Sequence, residues 1–195
     1  MSTLSNAVAA PRVPVLADLF ASTWVRNVAL VLGGALFTAV CAQIVIPMTP
    51  VPMTGQTLAV VLVGAGLGWK RGMAALALYA VLGIFLPVFS EFGSGLSVIT
   101  GPTGGYIIGF IFAAGAVGWL AERGSDRKFL TAFLAFVVGQ GLVFAFGLVG
   151  LKLYSGESVS WVVHNGFTIF IIGGLVKAAI GAVLMPAAWK LAEKR

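Results

Sequence analysis

The chain has 195 residues, of which 59% are hydrophobic and only 9% are charged, whereas a soluble globular domain carries about 25% charged residues. This composition indicates a membrane protein. The formal net charge is +6, but the basic residues separate apolar segments and form no basic face, so nucleic acid is not an expected partner; the single cysteine, Cys41, excludes a disulfide framework and a cysteine-based metal site.

The first 25 residues are predicted to form a cytoplasmic extension. They contain Arg12 and Asp18 and only a short apolar stretch over residues 13–17. They lack the apolar core and the small-residue cleavage site of a signal peptide. We therefore expect residues 26–195 to form the membrane domain.

Six apolar segments follow the extension. A helix needs about 20 residues to cross roughly 30 Å of hydrocarbon, and most of these segments approach that length. The predicted spans are residues 26–46, 53–69, 72–89, 104–121, 129–151 and 165–189. This pattern predicts an all-α, polytopic membrane protein with six transmembrane helices.

The basic residues predict the orientation of these helices. Ten of the 12 lysines and arginines fall on one side of the predicted spans, Lys152 falls on the other side, and Lys177 lies within the last span. Cytoplasmic loops carry an excess of Lys and Arg. Both termini are therefore expected in the cytoplasm.

The outside loops carry the irregular sequence. The second span is uninterrupted only over residues 57–69, about 20 Å of helix, and a proline-rich stretch precedes it. Such interrupted segments mark binding sites in transporters, but an ordinary surface loop explains them as well. Before the fourth span, Gly104 and Gly105 are expected to open a helix with free N–H groups that could hold an anion. The alternative is that Gly105, Gly109 and Ala113 let two helices pack closely.

Lys177 is the most informative residue of the chain. Apart from His164, it is the only basic or acidic residue between residues 158 and 189. A lysine at the centre of a membrane helix costs roughly 2.5–3.5 kcal/mol on insertion scales, so we expect it to face the protein interior. Gly166, Gly173 and Gly181 share its helix face, which suggests open volume beside the ammonium. Its expected partner is a ligand carboxylate or Glu91, unless burial keeps the lysine neutral or the charge is purely structural.

No catalytic set is visible in the sequence. His164 is the only histidine, and the chain has no carboxylate pair within a span, no Ser–His–Asp arrangement and no nucleotide-binding motif. We therefore expect no enzyme, no cofactor and no metal site. A channel or facilitator for another small solute is the alternative to a binding protein.

Four short motifs resemble those of one family. They are Pro-Met-Thr-Gly-Gln-Thr at 52–57, Gly-Ile-Phe-Leu-Pro-Val-Phe at 83–89, Gly-Pro-Thr-Gly-Gly-Tyr-Ile-Ile-Gly-Phe at 101–110 and Leu-Val-Lys-Ala at 175–178. Together they resemble the BioY family, the biotin-binding S components of energy-coupling factor (ECF) transporters. The resemblance covers roughly residues 26–190, and the decapeptide is its most specific part.

The resemblance implies a multi-pass protein of the bacterial cell membrane that captures biotin from the external side. Its expected partners are a transmembrane coupling protein and two cytoplasmic ATPase subunits. The implied substrate-binding residues include Lys177 for an anionic or polar group, Gln56, Tyr106 and Asn165 for hydrogen bonds, and Phe89 as an apolar wall. Gly104, Gly174 and Glu91 complete the predicted site. Ala35 and Ala39 match the spacing with which S components contact the coupling protein, although ordinary helix packing explains them too.

One position departs from the family pattern. The family usually has an aspartate three residues before the lysine of its sixth helix, whereas this chain has Gly174. The resemblance therefore implies either that Glu91 or Asn165 takes the place of the acid or that the ligand is somewhat altered.

Overall fold

The computed structural model describes residues 15–19 and 23–192, and these residues are almost entirely helical. The eight α-helices among them are α1 (Trp24–Ala42), α2 (Gln56–Leu67), α3 (Trp69–Phe85), α4 (Leu96–Ile99), α5 (Gly104–Ala121), α6 (Phe129–Ser155), α7 (Val159–Gly166) and α8 (Ile171–Ala192). Two short strands, β1 (Val45–Ile46) and β2 (Met53–Thr54), pair antiparallel between α1 and α2. The predicted all-α, polytopic membrane fold is confirmed.

Five helical stretches within the described residues are long and apolar enough to cross a membrane. They are Trp24–Ala42, Trp69–Phe92, Gly104–Ala121, Phe129–Ser155 and Val159–Ala192. The remaining apolar helix, α2, has 12 residues and is therefore only about 18 Å long. The β1–β2 hairpin precedes it directly, so the irregular backbone expected before a short second span is present. The count of six spans and the cytoplasmic position of the termini stay predictions.

The last predicted span, 165–189, is not one continuous helix. The chain leaves helical geometry at Phe167 (φ −139°, ψ −57°), passes through a 3-10 turn at Thr168–Phe170 and begins α8 only at Ile171. The Tyr106 hydroxyl donates to the carbonyl oxygen of Gly166 at 2.7 Å, which satisfies an acceptor at the end of α7. The prediction of one continuous helix was wrong because no proline or charge in the sequence marks the break. The break is stabilised by the contact of Tyr106, which belongs to α5.

Small residues set the distances between the central helices. A Cβ placed on Gly105 would lie 2.9 Å from the Cα of Gly150, and a Cβ on Gly109 would lie 3.1 Å from the Cα of Val143. Helices α5 and α6 are therefore in near backbone contact. Of the two interpretations of these glycines, close helix packing is the one that the structure shows.

Ala35 and Ala39, the predicted contacts for a coupling protein, face the inside of this chain. Ala35 is 1% exposed and belongs to the main core, and Ala39 is partly buried against the same core. Ala35 thus offers almost no surface to a partner. Ala35 therefore packs within the chain, and a contact of Ala39 with a coupling protein stays a prediction.

Candidate ligand-binding site

A small cavity lies where the first turns of α2 and α5 approach α8 beneath the loop that follows α3. Its volume is about 50 Å³, and its lining is mainly apolar with a few polar groups. Five of the predicted site residues line it: Gln56, Phe89, Tyr106, Gly174 and Lys177. Residues far apart in the chain are therefore brought to one place.

Lys177 reaches into this cavity from α8. It is the seventh residue of the helix, which places its Cα about 9 Å from the helix start. Its Nζ donates to the carbonyl oxygen of Thr54 at 2.7 Å and to Oγ1 of Thr57 at 3.0 Å. Both acceptors are neutral, and no salt bridge to Lys177 forms among residues 15–19 and 23–192. An ammonium has three donors, so one remains for a further acceptor and the positive charge is uncompensated.

Gln56, the first residue of α2, is held in a buried polar network. Its Oε1 accepts from the Thr54 hydroxyl at 2.7 Å, and its Nε2 donates to the Tyr79 hydroxyl at 2.6 Å. The Tyr79 hydroxyl in turn donates to the carbonyl oxygen of Val88 at 3.2 Å. The network orients the amide, which keeps one further donor and one further acceptor position for a ligand.

Tyr106 forms an aromatic wall of the cavity and fills a slot between two glycines. A Cβ on Gly147 would lie 2.3 Å from its ring, and a Cβ on Gly166 would lie 2.7 Å from its hydroxyl oxygen. Its ring meets that of Phe144 edge to face, with centroids 6.4 Å apart. Because the hydroxyl already donates to Gly166, it is available to a ligand only as an acceptor.

Phe89 anchors the loop that covers the cavity. The side chain is 1% exposed, packs edge to face on Tyr79 at 5.5 Å, and lies so close to Gly83 that a Cβ there would be 2.1 Å from the ring. The next turn carries two non-glycine residues with positive φ, Glu91 at 57° and Phe92 at 55°. Such conformations are unfavourable for L-residues and need support from the surroundings.

Gln43, at the end of α1, supplies that support. Its Nε2 donates to the carbonyl oxygen of Phe89 at 2.9 Å, and its Oε1 accepts from the backbone N–H of Phe92 at 3.1 Å. One side chain thus holds both ends of the turn. Nothing in the sequence pattern singled out this residue, because a glutamine at a helix end is common.

Three predicted site residues lie outside the cavity lining. Asn165 belongs to α7 and donates to the carbonyl oxygen of Trp161 at 2.9 Å, and Glu91 is exposed in its turn. The N–H of Gly104 donates to Gly101 at 3.1 Å, so the expectation that it is free was wrong. A Cβ on Gly104 would lie 1.7 Å from the carbonyl oxygen of Ile99, so this glycine is required for close approach of the backbone. A ligand contact of any of the three stays a prediction.

The glycines on the lysine's helix face do not create the open volume. A Cβ on Gly173 would lie 2.6 Å from Sδ of Met53, and a Cβ on Gly181 would lie 2.8 Å from the ring of Phe136. Both glycines are therefore packing positions, and this part of the prediction was wrong. Gly174 alone of the α8 glycines lines the cavity.

Gln140 does not line the cavity but contacts Gly174, which does, and the sequence interpretation did not single it out. It is 4% exposed, and its Nε2 donates to the carbonyl oxygen of Gly174 at 2.8 Å. A Cβ on Gly174 would lie 2.6 Å from Oε1 of Gln140, so the amide occupies the space beside the glycine. Its sequence position could have identified it, because a glutamine in the middle of an apolar span needs hydrogen-bond partners.

Comparison with known proteins decides the family. A family model described as "BioY family" matches residues 9–194. The chain belongs to the BioY family. It is 38% identical over 164 residues to "Biotin transporter BioY" of Thermotoga maritima, covering 82% of this chain and 95% of the relative. It is 34% identical over 160 residues to "Biotin transporter BioY2" of Lactococcus lactis subsp. cremoris, covering 82% and 87%.

A solved structure shows the same fold. The crystal structure of an S-component for biotin from an ECF-type ABC transporter superposes with a TM-score of 0.77 and 23% sequence identity, over 87% of this chain and 95% of that one. Family membership and the apolar helices together make this chain a multi-pass protein of the cell membrane, and the family is one of transporters.

Gly174 stands where the BioY family usually has an aspartate, three residues before the lysine of the last helix. The structure places neither Glu91 nor Asn165 beside it, although both were candidates to replace the missing acid. The neutral amide of Gln140 is in contact with it instead. No carboxylate is therefore added to the surroundings of Lys177 within the described part of the chain.

Proposed function

We propose that this protein is the S component of an ECF-type transporter and that it binds biotin in the cavity beside Lys177. The observation that carries the proposal is the lysine ammonium, which faces the cavity with one donor unused and no carboxylate partner among the described residues. A buried charge without a counter-ion is unfavourable, so an anionic ligand gains affinity by supplying one.

The remaining walls suit the rest of the ligand. Biotin carries a carboxylate, a polar ureido ring and an apolar thioether ring. We assign the carboxylate to Lys177 and the ureido group to the donor and acceptor that Gln56 has left. The aromatic rings of Phe89, Tyr106 and Phe144 form the apolar side of the cavity. Pre-oriented polar groups of this kind disfavour analogues that leave them unpaired.

Binding requires the cavity to enlarge. Its volume of about 50 Å³ is well below the roughly 300–1,000 Å³ of ordinary small-molecule pockets. The segment best suited to move is the turn that follows the buried Phe89, because the side-chain hydrogen bonds to it come from Gln43 and it contains two residues with unfavourable φ. We propose that release of these two hydrogen bonds opens the cavity to the outside.

Transport by this protein needs other subunits. The sequence contains no Walker-type nucleotide site. A transmembrane coupling protein and two cytoplasmic ATPases are therefore the proposed partners, and the protein itself is not an enzyme. Because Ala35 is buried, we place the contact with the coupling protein on other, exposed residues of the chain. No observation favours the channel alternative.

The test is equilibrium binding of biotin to detergent-purified protein. We compare the wild type with Lys177→Met, which keeps the apolar stem but removes the charge. The matched control is Lys152→Met, because this lysine is exposed and donates only to backbone oxygens of Gly156 and Glu157. Biotin methyl ester serves as a ligand without a carboxylate.

The expected result is that Lys177→Met weakens biotin binding by about 100-fold, the scale of a lost partner in a buried charge pair. The same substitution should leave binding of the methyl ester nearly unchanged. Equal effects on the two ligands would show that the carboxylate does not bind Lys177. Absence of biotin binding to the wild type would overturn the assignment of the ligand itself.

A further inference from the structure

A second, larger cavity lies at the other end of the molecule, between α1 and α2. Its volume is about 450 Å³, and its walls are almost wholly apolar. Leu30 and Phe37 of α1, Leu62 and Leu67 of α2, and Leu16 of a short 3-10 helix (Leu16–Leu19) that precedes α1 contribute to them. A Cβ placed on the lining residues Gly33 or Gly66 would meet no atom within 4 Å, so the space beside both glycines is open.

Arg26 is the charged residue in the lining of this cavity. Its three guanidinium nitrogens are buried, and none of them has a hydrogen-bond partner within the part of the chain that the structure describes. The neighbouring Arg71 shows the contrast. Its guanidinium binds Asp18 at 2.5 Å, Asn27 at 3.3 Å and the carbonyl oxygen of Leu67 at 2.9 Å. Two arginines at the same end of the bundle thus differ in whether the protein supplies their acceptors.

The chain has few carboxylates that could pair with Arg26. It has six acidic residues, and residues 1–14 and 20–22 contain none of them. Each described carboxylate at this end has another partner: Asp18 binds Arg71, Glu122 accepts from the N–H of Trp69, and Asp126 accepts from the indole of Trp189. The other three are Glu91 and Glu157, in the loops of the opposite end, and Glu193, beyond the described residues.

We propose that this cavity binds an anionic glycerophospholipid, with an acyl chain between α1 and α2 and the phosphate on the guanidinium of Arg26. Phe37, which lines the cavity, is exposed, and α1 carries further exposed apolar side chains such as Leu32 and Leu36, as a lipid-facing helix does. An apolar groove with one cation at its end matches the two parts of such a lipid. Basic pockets between membrane helices bind lipid head groups in this way.

Arginine suits this role better than a point charge. Its planar guanidinium donates in a fork that fits two phosphate oxygens, and it is more weakly hydrated than an ammonium. The Arg26 side chain lines the cavity and is partly exposed as a whole, and we propose that its guanidinium turns toward the cavity mouth when the phosphate binds. The end concerned also carries Lys70 and Arg71, which places the lipid in the leaflet on the basic side.

The experiment is native mass spectrometry of the delipidated, detergent-purified full chain during titration with one probe at a time. The probes are phosphatidylglycerol, phosphatidylcholine with the same acyl chains, and inorganic phosphate. We expect a single tight phosphatidylglycerol, with at least 10-fold weaker binding of phosphatidylcholine and no retention of inorganic phosphate. Arg26→Gln should remove the preference between the two lipids, whereas Lys128→Gln, at an exposed cation of the same end, should keep it.

A second variant tests the acyl chain separately. A Cβ on Gly33 meets no atom within 4 Å, so Gly33→Leu should extend into the open space and weaken phosphatidylglycerol binding at least 10-fold with Arg26 intact. Gly141→Leu, at an equally open position on α6, is its control and should have no such effect. Equal binding of the two lipids to the wild type, or tight binding of inorganic phosphate, would overturn the proposal. So would a preference for phosphatidylglycerol that survives Arg26→Gln, or a phosphatidylglycerol affinity that survives Gly33→Leu. Biotin binding by these variants is a separate readout, so failure here leaves the proposed function untouched.

Discussion

The two ends of the molecule each hold a partly buried basic residue without a carboxylate partner among the described residues, and the two differ in what surrounds them. Lys177 donates to two neutral oxygens in a cavity with polar groups, whereas Arg26 has no acceptor among the described residues and lines a cavity with apolar walls. An ammonium that keeps two hydrogen bonds in the empty site suits a protein that must release its ligand, because the free energy of the empty site then stays low. An unsatisfied cation suits a permanently bound lipid. The two sites therefore differ in the hydrogen-bond acceptors around the cation and in the polarity of the cavity walls, although both contain a positive charge.

The largest expected effect is that a substitution of Lys177 weakens biotin binding without changing lipid binding at Arg26. Lys177→Met should weaken biotin binding by about 100-fold, equivalent to about 2.7 kcal/mol, because it removes the charge to which we assign the carboxylate. It should leave the preference for phosphatidylglycerol over phosphatidylcholine unchanged. Isothermal titration for biotin and native mass spectrometry for lipid measure both quantities on the same preparation. Loss of both activities at once would mean that the variant is misfolded or that the two sites are coupled.

The reciprocal substitution is expected to have a smaller effect. Arg26→Gln should weaken phosphatidylglycerol binding about 10-fold, or about 1.4 kcal/mol, since the apolar cavity still holds the acyl chain. Its affinity for biotin should stay within about twofold of the wild type, because distant sites without shared partners behave additively. The same two assays provide the test. A matching drop in biotin affinity would contradict the independence of the two ends.

A third prediction tests the contact between Gly174 and Gln140 beside the Lys177 cavity. Gly174→Ala should change the free energy of unfolding by less than about 1 kcal/mol, because alanine favours the helix whereas its Cβ would lie 2.6 Å from Oε1 of Gln140 and force that flexible amide to move. In a Gly174→Ala, Gln140→Ala double variant that clash is absent, so a double-mutant cycle should give a coupling energy of similar size. Thermal unfolding in detergent measures it. Additive single effects would show that the two side chains do not compete for this space.

The smallest expected effect concerns a third buried charge. Asp126 lies between α5 and α6, is 1% exposed, and accepts from Trp189 at 2.6 Å. Burial raises the pKa of its carboxyl group above the ordinary value of about 3.9, against the opposing effects of Trp189 and Arg127. The native state therefore favours the protonated form. The contribution of this group to stability is present below the ordinary pKa and is lost as the pH rises through the raised pKa.

The measurement compares Asp126→Asn with the wild type. The asparagine stays neutral and can still accept from Trp189, so the two proteins should be similarly stable near pH 4. At neutral pH the asparagine variant should be the more stable, by less than about 1 kcal/mol, since the wild type then carries the desolvated charge. Thermal unfolding across this pH range follows the difference. A stability difference that does not change with pH would show that the carboxyl group is not titrating in a buried environment.

Much of the site could be predicted from residues that are unusual for their surroundings. Lys177 stood out because a charge in an apolar span is unfavourable, and Gln56, Tyr106 and Phe89 stood out through their motifs; all four line the cavity. Gln140 carried the same kind of signal in a weaker form and was missed. Gln43 carried none, because its role depends on the turn that it holds.

Glycines were the least predictable residues. Gly173 and Gly181 share the helix face of Lys177, and the sequence pattern did not reveal that Met53 and Phe136 fill the space in front of them. A missing side chain leaves room for a ligand or for a neighbour, and the choice depends on which chain segment approaches. The same reason explains why Ala35 was equally compatible with an internal or an external contact.

The sequence by itself determined the membrane environment, the helical fold and the family, because these follow from composition, from apolar segment lengths and from local motifs. Only the tertiary structure decided where the last span breaks, which small residues pack and which line a cavity, and that Arg26 is left without an acceptor among the described residues. Those properties depend on contacts between residues distant in the chain, and local sequence patterns carry no record of such contacts.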